Sequence, residues 1–174
     1  MPSGRTHDQI TLGVLPFVAV STLFLSRSAS ITLSLSGAFL FSGLMFGPDL
    51  DIYSVQYQRW GGLKVIWLPY RRMFRHRSCL SHGLIIGTLL RLVYLGVWLG
   101  MVILGMILTI WILDQGWGIS LDWQAQLQPL QRQVSLYQQE GLALLLGLEL
   151  GAMSHTLSDG LGSFLKSTRK RWRN

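Results

Sequence analysis

Histidines and aspartates at short spacings are the residues of this 174-residue chain best suited to chemistry. They fall into four segments: His7-Asp8, Asp49-Leu50-Asp51, His76 to His82, and His155 to Asp159. The last pair is one helical turn apart, so both side chains can reach the same ion. Imidazole and carboxylate ligands without thiolate are typical of zinc, manganese or iron sites. These segments predict a metal site, with zinc as the first expectation and manganese or iron as alternatives.

The candidate ligands outnumber what one tetrahedral ion requires, so one or two ions are expected. The candidates are His7, Asp49, Asp51, His76, His82, His155 and Asp159. Each segment also has a simpler interpretation. A histidine at a helix end is commonly a favourable dipole partner, and Asp-x-Asp after Gly-Pro is commonly a turn. The metal prediction therefore depends on all four segments meeting at one place.

Local geometry decides whether neighbouring candidates can share an ion. A Gly-Pro step should end a helix just before Asp49 and Asp51, which predicts an extended segment in which both point the same way. His76 and His82 would diverge on a straight helix. They converge if a loop carries His76 and Ser81 caps a helix that begins at His82.

The composition points to a membrane rather than to a soluble domain. Hydrophobic residues make up 49% of the chain and charged residues 13%, about half the charged share of a soluble domain. So short a chain cannot enclose a core large enough to explain this. Cys79 is the single cysteine, which excludes an internal disulfide and a cysteine-rich zinc module. The net charge of +7 is interleaved with apolar runs, which favours contact with lipid over nucleic acid.

Four apolar runs predict the elements that must position the ligands. They predict helices at about 7–26, 31–47, 82–113 and 140–158. In the third, the 22 uncharged residues Leu92 to Leu113 make about 33 Å of helix, enough to cross a bilayer. A signal peptide is the competing interpretation of the first run, but it has one preceding positive charge and no clear A-x-A site. The sequence thus predicts one all-α domain, 1–174, built as a four-helix transmembrane bundle.

Lysines and arginines outside the runs are distributed unevenly. Twelve belong to the N-terminus, the loop 48–81 and the tail 160–174, whereas Arg27 and Arg132 lie on the opposite side. Because basic segments stay cytoplasmic, we expect a multi-pass membrane protein with both termini cytoplasmic and the loop 114–140 outside. An up-down-up-down bundle then places the metal site at the cytoplasmic side, where anionic lipid is the expected partner.

Three charged residues outside the ligand set are candidates for further roles. Arg77, next to His76, is the candidate to bind a phosphate oxygen, whereas the nearby arginines fit ordinary positive-inside charge. Glu149 and Arg91 are charges within apolar runs, where insertion is costly and function is common. Their similar depths predict an ion pair between the third and fourth helices. Glu149 acting as a support for the ligands or as a general base is the alternative.

Four blocks follow one another along the chain: Ser-Gly-Arg-Thr-His7-Asp8, Gly-Pro-Asp49-Leu-Asp51, His76-Arg77 with Ser81-His82-Gly, and Ser-His155-Thr-Leu-Ser-Asp159. In this order the chain resembles a bacterial family of uncharacterised membrane metal-binding proteins. The same order is similar to the related LexA-regulated, inner-membrane metal-dependent hydrolases. The resemblance spans nearly the whole chain. It implies metal binding at all seven candidate ligands and a location in the bacterial inner membrane.

The leading expectation is a membrane-bound, metal-dependent hydrolase that acts at the cytoplasmic interface on a phosphoester bound by the adjacent arginines. In the alternative, saturated ligands hold a structural metal, and the tail Lys166–Arg173 of an assembly or interaction factor docks lipid or a partner. A metal carrier is disfavoured, because Glu149 and Arg91 alone would continue a polar path. Nucleic-acid binding is not expected, since no recognition motif accompanies the basic tail. The oligomeric state stays open.

Overall fold

The computed structural model describes residues 4–76, 78–117 and 123–171, and these contain no strand, which confirms the all-α prediction. Helix α1 spans Gly4–Ser26 and α2 spans Ala29–Leu44. The connecting region after α2 contains a 3₁₀ turn at Pro48–Asp51, α3 at Val55–Gln58, a second 3₁₀ turn at Gly61–Ile66, α4 at Trp67–Met73 and α5 at Cys79–His82. Helix α6 spans Ile86–Trp117, α7 spans Trp123–Leu136 and α8 spans Gln138–Arg171.

Four helical stretches are long and apolar enough to cross a membrane, and they lie in α1, in α2 with the turn that follows it, in α6 and in α8. Their bounds are Gly4–Ser26, Ala29–Asp51, Ile86–Asp114 and Gln138–Gly160. Their large apolar side chains are widely exposed, as at Phe17 and Phe24 on α1 and Ile103 on α6. Contiguous apolar surface of this extent is unfavourable in water and is typical of contact with lipid. The four predicted spans therefore correspond to four helices with the required length and composition.

The helix boundaries differ from the expected ones near the candidate ligands. Helix α6 begins at Ile86 rather than at His82, which instead ends the short helix α5. Helix α8 continues to Arg171, through the region expected to be a tail. Helix α7 lies in the loop expected to face outward, and short helices fill the basic loop 48–81.

Helices α2 and α8 approach each other through small residues. A Cβ atom at Gly151 would lie 2.5 Å from the carbonyl oxygen of Phe39, and Gly147, one turn earlier, is equally confined. The hydroxyl of Ser42 donates to a backbone carbonyl of α8 at 2.6 Å. A small-xxx-small pattern allows backbones to come this close. This packing fixes the part of α8 that carries His155, one turn after Gly151.

Buried aromatic side chains hold the connecting region together. Trp67 and Tyr70 of α4 are fully buried, and their rings meet edge to face at 5.5 Å between centroids. Phe46, just after α2, packs on Trp67 at 5.8 Å. Edge-to-face pairs of this kind add to the free energy gained from burying the rings. Burial also raises the pKa of the Tyr70 hydroxyl. The aromatic cluster ties the short helices to the end of α2.

The turn after α2 carries two candidate ligands. Pro48 opens this 3₁₀ turn, where its missing N–H costs nothing, so Asp49 and Asp51 lie in a helical turn. The expected extended segment is therefore wrong. Ser54 then starts α3, since its hydroxyl accepts from the backbone N–H of Tyr57 at 3.1 Å and donates to the carbonyl of Asp49 at 2.8 Å.

Contacts divide the chain into two compact units. One contains the residues up to Arg91 together with those from Gln139 onward, and the other is Leu92–Gln138. All seven candidate ligands belong to the first unit, so the site can be described within that unit alone.

Candidate metal centre

The structure brings the seven candidate ligands together from four places in the fold. Helix α1 supplies His7, the 3₁₀ turn supplies Asp49 and Asp51, the segment through α5 supplies His76 and His82, and α8 supplies His155 and Asp159. Two groups could each hold an ion, with ligand atoms that all lie within 4.8 Å of one another. The first is His7, His155 and Asp159, and the second is Asp49, His76 and His82.

The first group is buried between α1 and α8. Nε2 of His7 lies 3.4 Å from Oδ1 of Asp159, and the imidazole rings of His7 and His155 stack at 3.8 Å. The Ser158 hydroxyl donates to the carbonyl of His155 at 2.7 Å and lies 2.6 Å from Nδ1 of His7. Because the hydroxyl proton is already used, Ser158 Oγ accepts from the Nδ1–H of His7. This tautomer leaves the lone pair of Nε2 facing the group.

In the second group, Nδ1 of each histidine also faces a polar side chain, which leaves Nε2 for an ion. Nδ1 of His76 lies 2.9 Å from Oδ1 of Asp51, and a carboxylate only accepts, so His76 carries its proton on Nδ1. Nδ1 of His82 lies 3.0 Å from the hydroxyl of Ser81, which donates to the carbonyl of Arg75 at 3.2 Å. A proton on Nδ1 of His82 would also face Oδ2 of Asp51, 3.7 Å away. Nε2 of both histidines then carries the free lone pair that a metal ligand requires.

Asp49 lies between the two groups and faces both. Its Oδ2 is 3.2 Å from Nε2 of His155, and its Oδ1 is 3.8 Å from Nε2 of His82. Asp51 closes the series on the far side, with its Oδ2 3.7 Å from Nδ1 of His82. The seven side chains thus form one continuous cluster in which a single carboxylate connects the groups.

Several atoms of this cluster are buried without a hydrogen bond. They are Nε2 of His76, His82 and His155 and Oδ2 of Asp51. Leaving a buried polar atom unsatisfied costs about 1–3 kcal/mol, so four in one cluster indicate that a ligand completes them. Ligand atoms bound to one tetrahedral ion at 2.0–2.1 Å lie about 3.3–3.4 Å apart. The 3.4 Å from His7 to Asp159 and the 3.2 Å from His155 to Asp49 match that edge. The donor set therefore fits a metal.

Two residues that the sequence did not single out support the cluster. Gln56 is buried, donates to the carbonyl of Gly43 at 2.8 Å, and lies 3.4 Å from Nδ1 of His155. Arg59 pairs with both carboxylate oxygens of Asp8, which raises the pKa of the Arg59 guanidinium. Asp8 therefore pairs with an arginine rather than joining the ligands. In the sequence, the one signal for these contacts is that Asp8 lies next to His7.

A cavity of about 230 Å³ opens beside the first group. Three candidate ligands line it, namely His7, His155 and Asp49. Its other walls come from the start of α1 and from α3, and they include Tyr53 and Gln58. By contrast, the gap next to His82 has no room for a water molecule. The cavity therefore gives a small molecule access to the first group, whose three side chains are otherwise buried, whereas the three side chains of the second group are half-buried.

The remaining predicted site residues have different outcomes. Arg77 lies outside the described residues, so its role as a phosphate ligand stays a prediction. Arg91 and Glu149 do not form the predicted ion pair. Arg91 instead donates to the carbonyl of Ser81 at 3.0 Å, and Glu149 accepts from the backbone N–H of Ile85 at 2.8 Å. Both side chains therefore bind the backbone that joins α5 to α6.

Comparisons with known proteins agree with a metal site. The model of one family, described as "Uncharacterized metal-binding protein (DUF2227)", matches residues 2–169. A protein of Aquifex aeolicus (strain VF5), described as "Uncharacterized protein", is 40% identical over 58 residues. That match covers 33% of this chain and 40% of the relative's length. No solved structure matches this chain.

Proposed function

The chain belongs to this family of uncharacterized metal-binding proteins, and on that premise we propose that it is a membrane-embedded metalloprotein with two divalent ions and hydrolase activity. Nitrogen and oxygen ligands without thiolate fit zinc best, with manganese or iron as alternatives. The protein would lie in a bacterial inner membrane, with the metal site at the cytoplasmic face. The order of the motifs supports the further proposal of a relation to the LexA-regulated, inner-membrane hydrolases.

The ligand assignment follows from the two groups. His7, His155 and Asp159 would hold the first ion, and His76 and His82 would hold the second. Asp49 would connect the ions, since its two oxygens face different groups. Asp51 would orient the second pair of ligands, since its Oδ1 binds Nδ1 of His76 and its buried Oδ2 lies 3.7 Å from Nδ1 of His82. The first ion would then have four protein ligands and the second three, so the first ion would expand to five-coordination when it binds water or substrate from the cavity.

The cavity beside His7, His155 and Asp49 is the observation that favours catalysis over a purely structural metal. A catalytic ion keeps a position open for water or substrate, whereas a structural ion is fully enclosed. A bound divalent ion lowers the pKa of a coordinated water towards neutrality and so supplies a nucleophile for hydrolysis. At about 230 Å³ the cavity fits a small head group rather than a whole lipid. A phosphoester is the proposed substrate class, with Arg77 as the proposed phosphate ligand.

A structural metal in an assembly or interaction factor is the second candidate. The observation in its favour is the burial of the first group, because His7, His155 and Asp159 are all buried. In this case both ions would stabilise the junction of α1, α8 and the connecting region. The basic segment Lys166–Arg173 would then dock anionic lipid or a partner.

Metal analysis combined with a hydrolysis assay tests the proposal. The detergent-purified protein should hydrolyse p-nitrophenyl phosphate, bis-p-nitrophenyl phosphate or phosphatidic acid, and chelation should abolish the activity until zinc is returned. Asp159→Asn should lose both the first ion and the activity. Gln58→Trp changes a cavity wall that holds no ion, so it should keep both ions and lower kcat/KM. Two bound ions with no hydrolysis of any of these substrates would contradict the enzyme and favour the structural metal.

A further inference from the structure

The segment that joins α5 to α6 places His82 at the second group, and its backbone is unusual. His82 is the last residue of α5, and α6 begins only four residues later, at Ile86. Between them, Ile85 has a φ of 64°. A β-branched side chain is strongly disfavoured in this left-handed region, because its Cβ crowds the neighbouring carbonyl. The connection needs other contacts to hold it in place.

Glu149 supplies one such contact from α8. Its Oε1 accepts from the backbone N–H of Ile85, the strained residue itself, at 2.8 Å. An N–H donating to a carboxylate makes a stronger hydrogen bond than a neutral pair does. The carboxylate of Glu149 therefore binds Ile85, the one residue of the connection that adopts the unfavourable backbone conformation.

Arg91 supplies the second contact from α6. It is only 1% exposed, and its Nη1 donates to the carbonyl of Ser81 at 3.0 Å. Its Nη2 donates to the hydroxyl of Thr88 at 2.9 Å. A Cβ at Gly87 would lie 2.7 Å from the same carbonyl of Ser81, so the first turn of α6 folds back closely onto α5. Arg91 thus fixes the start of the connection as Glu149 fixes its end.

We propose that Glu149 and Arg91 are positioning residues that clamp the connection between α5 and α6 and so hold Nε2 of His82 towards Asp49. The proposal rests on the metal site proposed above and adds the role of two charges that contact no ligand. Both contacts bracket His82, one on the carbonyl just before it and one on the N–H three residues after it. Loss of either contact lets Ile85 relax to a common backbone conformation. His82 then moves away from the second group.

Removal and rescue of the Glu149 contact test the proposal. Glu149→Leu should weaken zinc binding at the second group at least tenfold, whereas Glu149→Gln, which keeps an acceptor oxygen, should stay within about threefold of the native affinity. Ile85→Gly in the Glu149→Leu chain should restore most of the lost affinity, because glycine adopts a positive φ without support. Affinity is measured by competition with a chromophoric chelator, and zinc content by elemental analysis.

The chain offers an internal and an external control. The first ion should remain bound in Glu149→Leu, which shows that the variant is folded. Glu140 lies on the same helix, and in the described part of the chain its carboxylate binds only the hydroxyl of Ser30, at 2.8 Å. The Glu140→Leu variant should therefore bind both ions normally. Unchanged affinity for both ions in Glu149→Leu would overturn the clamp, as would a loss that Ile85→Gly fails to restore. A native chain without zinc would instead refute the metal site itself.

Discussion

Gly151→Ala is a small substitution that should disturb the metal site from a distance. A Cβ at this position would lie 2.5 Å from the carbonyl oxygen of Phe39, whereas ordinary contact begins at 3.4 Å. The obstacle is the backbone of α2, which cannot rotate away as a side chain could. Helix α8 must therefore move from α2 by up to about 0.9 Å, the difference between these two distances. The displacement carries His155 and Asp159, one and two turns further on.

A metal site tolerates a much smaller displacement of its ligands than about 0.9 Å. Bond lengths at a site vary by about 0.2 Å, so a shift of several tenths of an ångström should weaken the first ion at least tenfold, about 1.4 kcal/mol. Chelator competition on the detergent-purified protein measures this affinity. The matched control is Gly141→Ala on the same helix, where an added Cβ meets nothing within 4 Å. Helix propensity alone would make both variants more stable, by up to about 1 kcal/mol. Equal zinc affinity in the two variants would refute the reasoning.

Two other predictions concern the shared carboxylate and the membrane topology. Asp49→Asn should reduce zinc binding at both groups, because its oxygens face each of them, whereas Asp8→Asn should bind normally, because Asp8 pairs with Arg59. Elemental analysis of the two variants distinguishes these results, and full occupancy in Asp49→Asn would contradict the shared ligand. In a Cys79→Ser chain, Gln128→Cys on α7 should react with an impermeant maleimide applied to intact cells. Labelling only after permeabilisation would contradict the outward position of α7.

The long helices could be predicted from the sequence because lipid imposes simple requirements on length and composition. The convergence of the four His/Asp segments could be predicted for the same reason, since antiparallel helices return the chain to the same end of a bundle. The prediction needed no side-chain geometry. The Gly-x-x-x-Gly pattern at Gly147 and Gly151 is a further signal in the sequence for close helix packing.

Details of the connecting region could not be predicted, because they depend on contacts between distant residues. Asp49 and Asp51 lie in a 3₁₀ turn because proline is compatible with the first position of a helical turn as well as with an extended chain. The predicted ion pair between Arg91 and Glu149 was wrong because depth in a helix does not determine which backbone groups lie near a side chain. The positive φ of Ile85 has no signal in the sequence, since a glycine would be expected there.

Zinc content per chain tests the two-ion cluster most directly. Elemental analysis of the detergent-purified native protein should find two equivalents, and His82→Ala and Asp159→Ala should each retain one, because they remove ligands from different groups. The double variant should retain none. A native chain without stoichiometric metal, or the same content in all four proteins, would contradict the cluster.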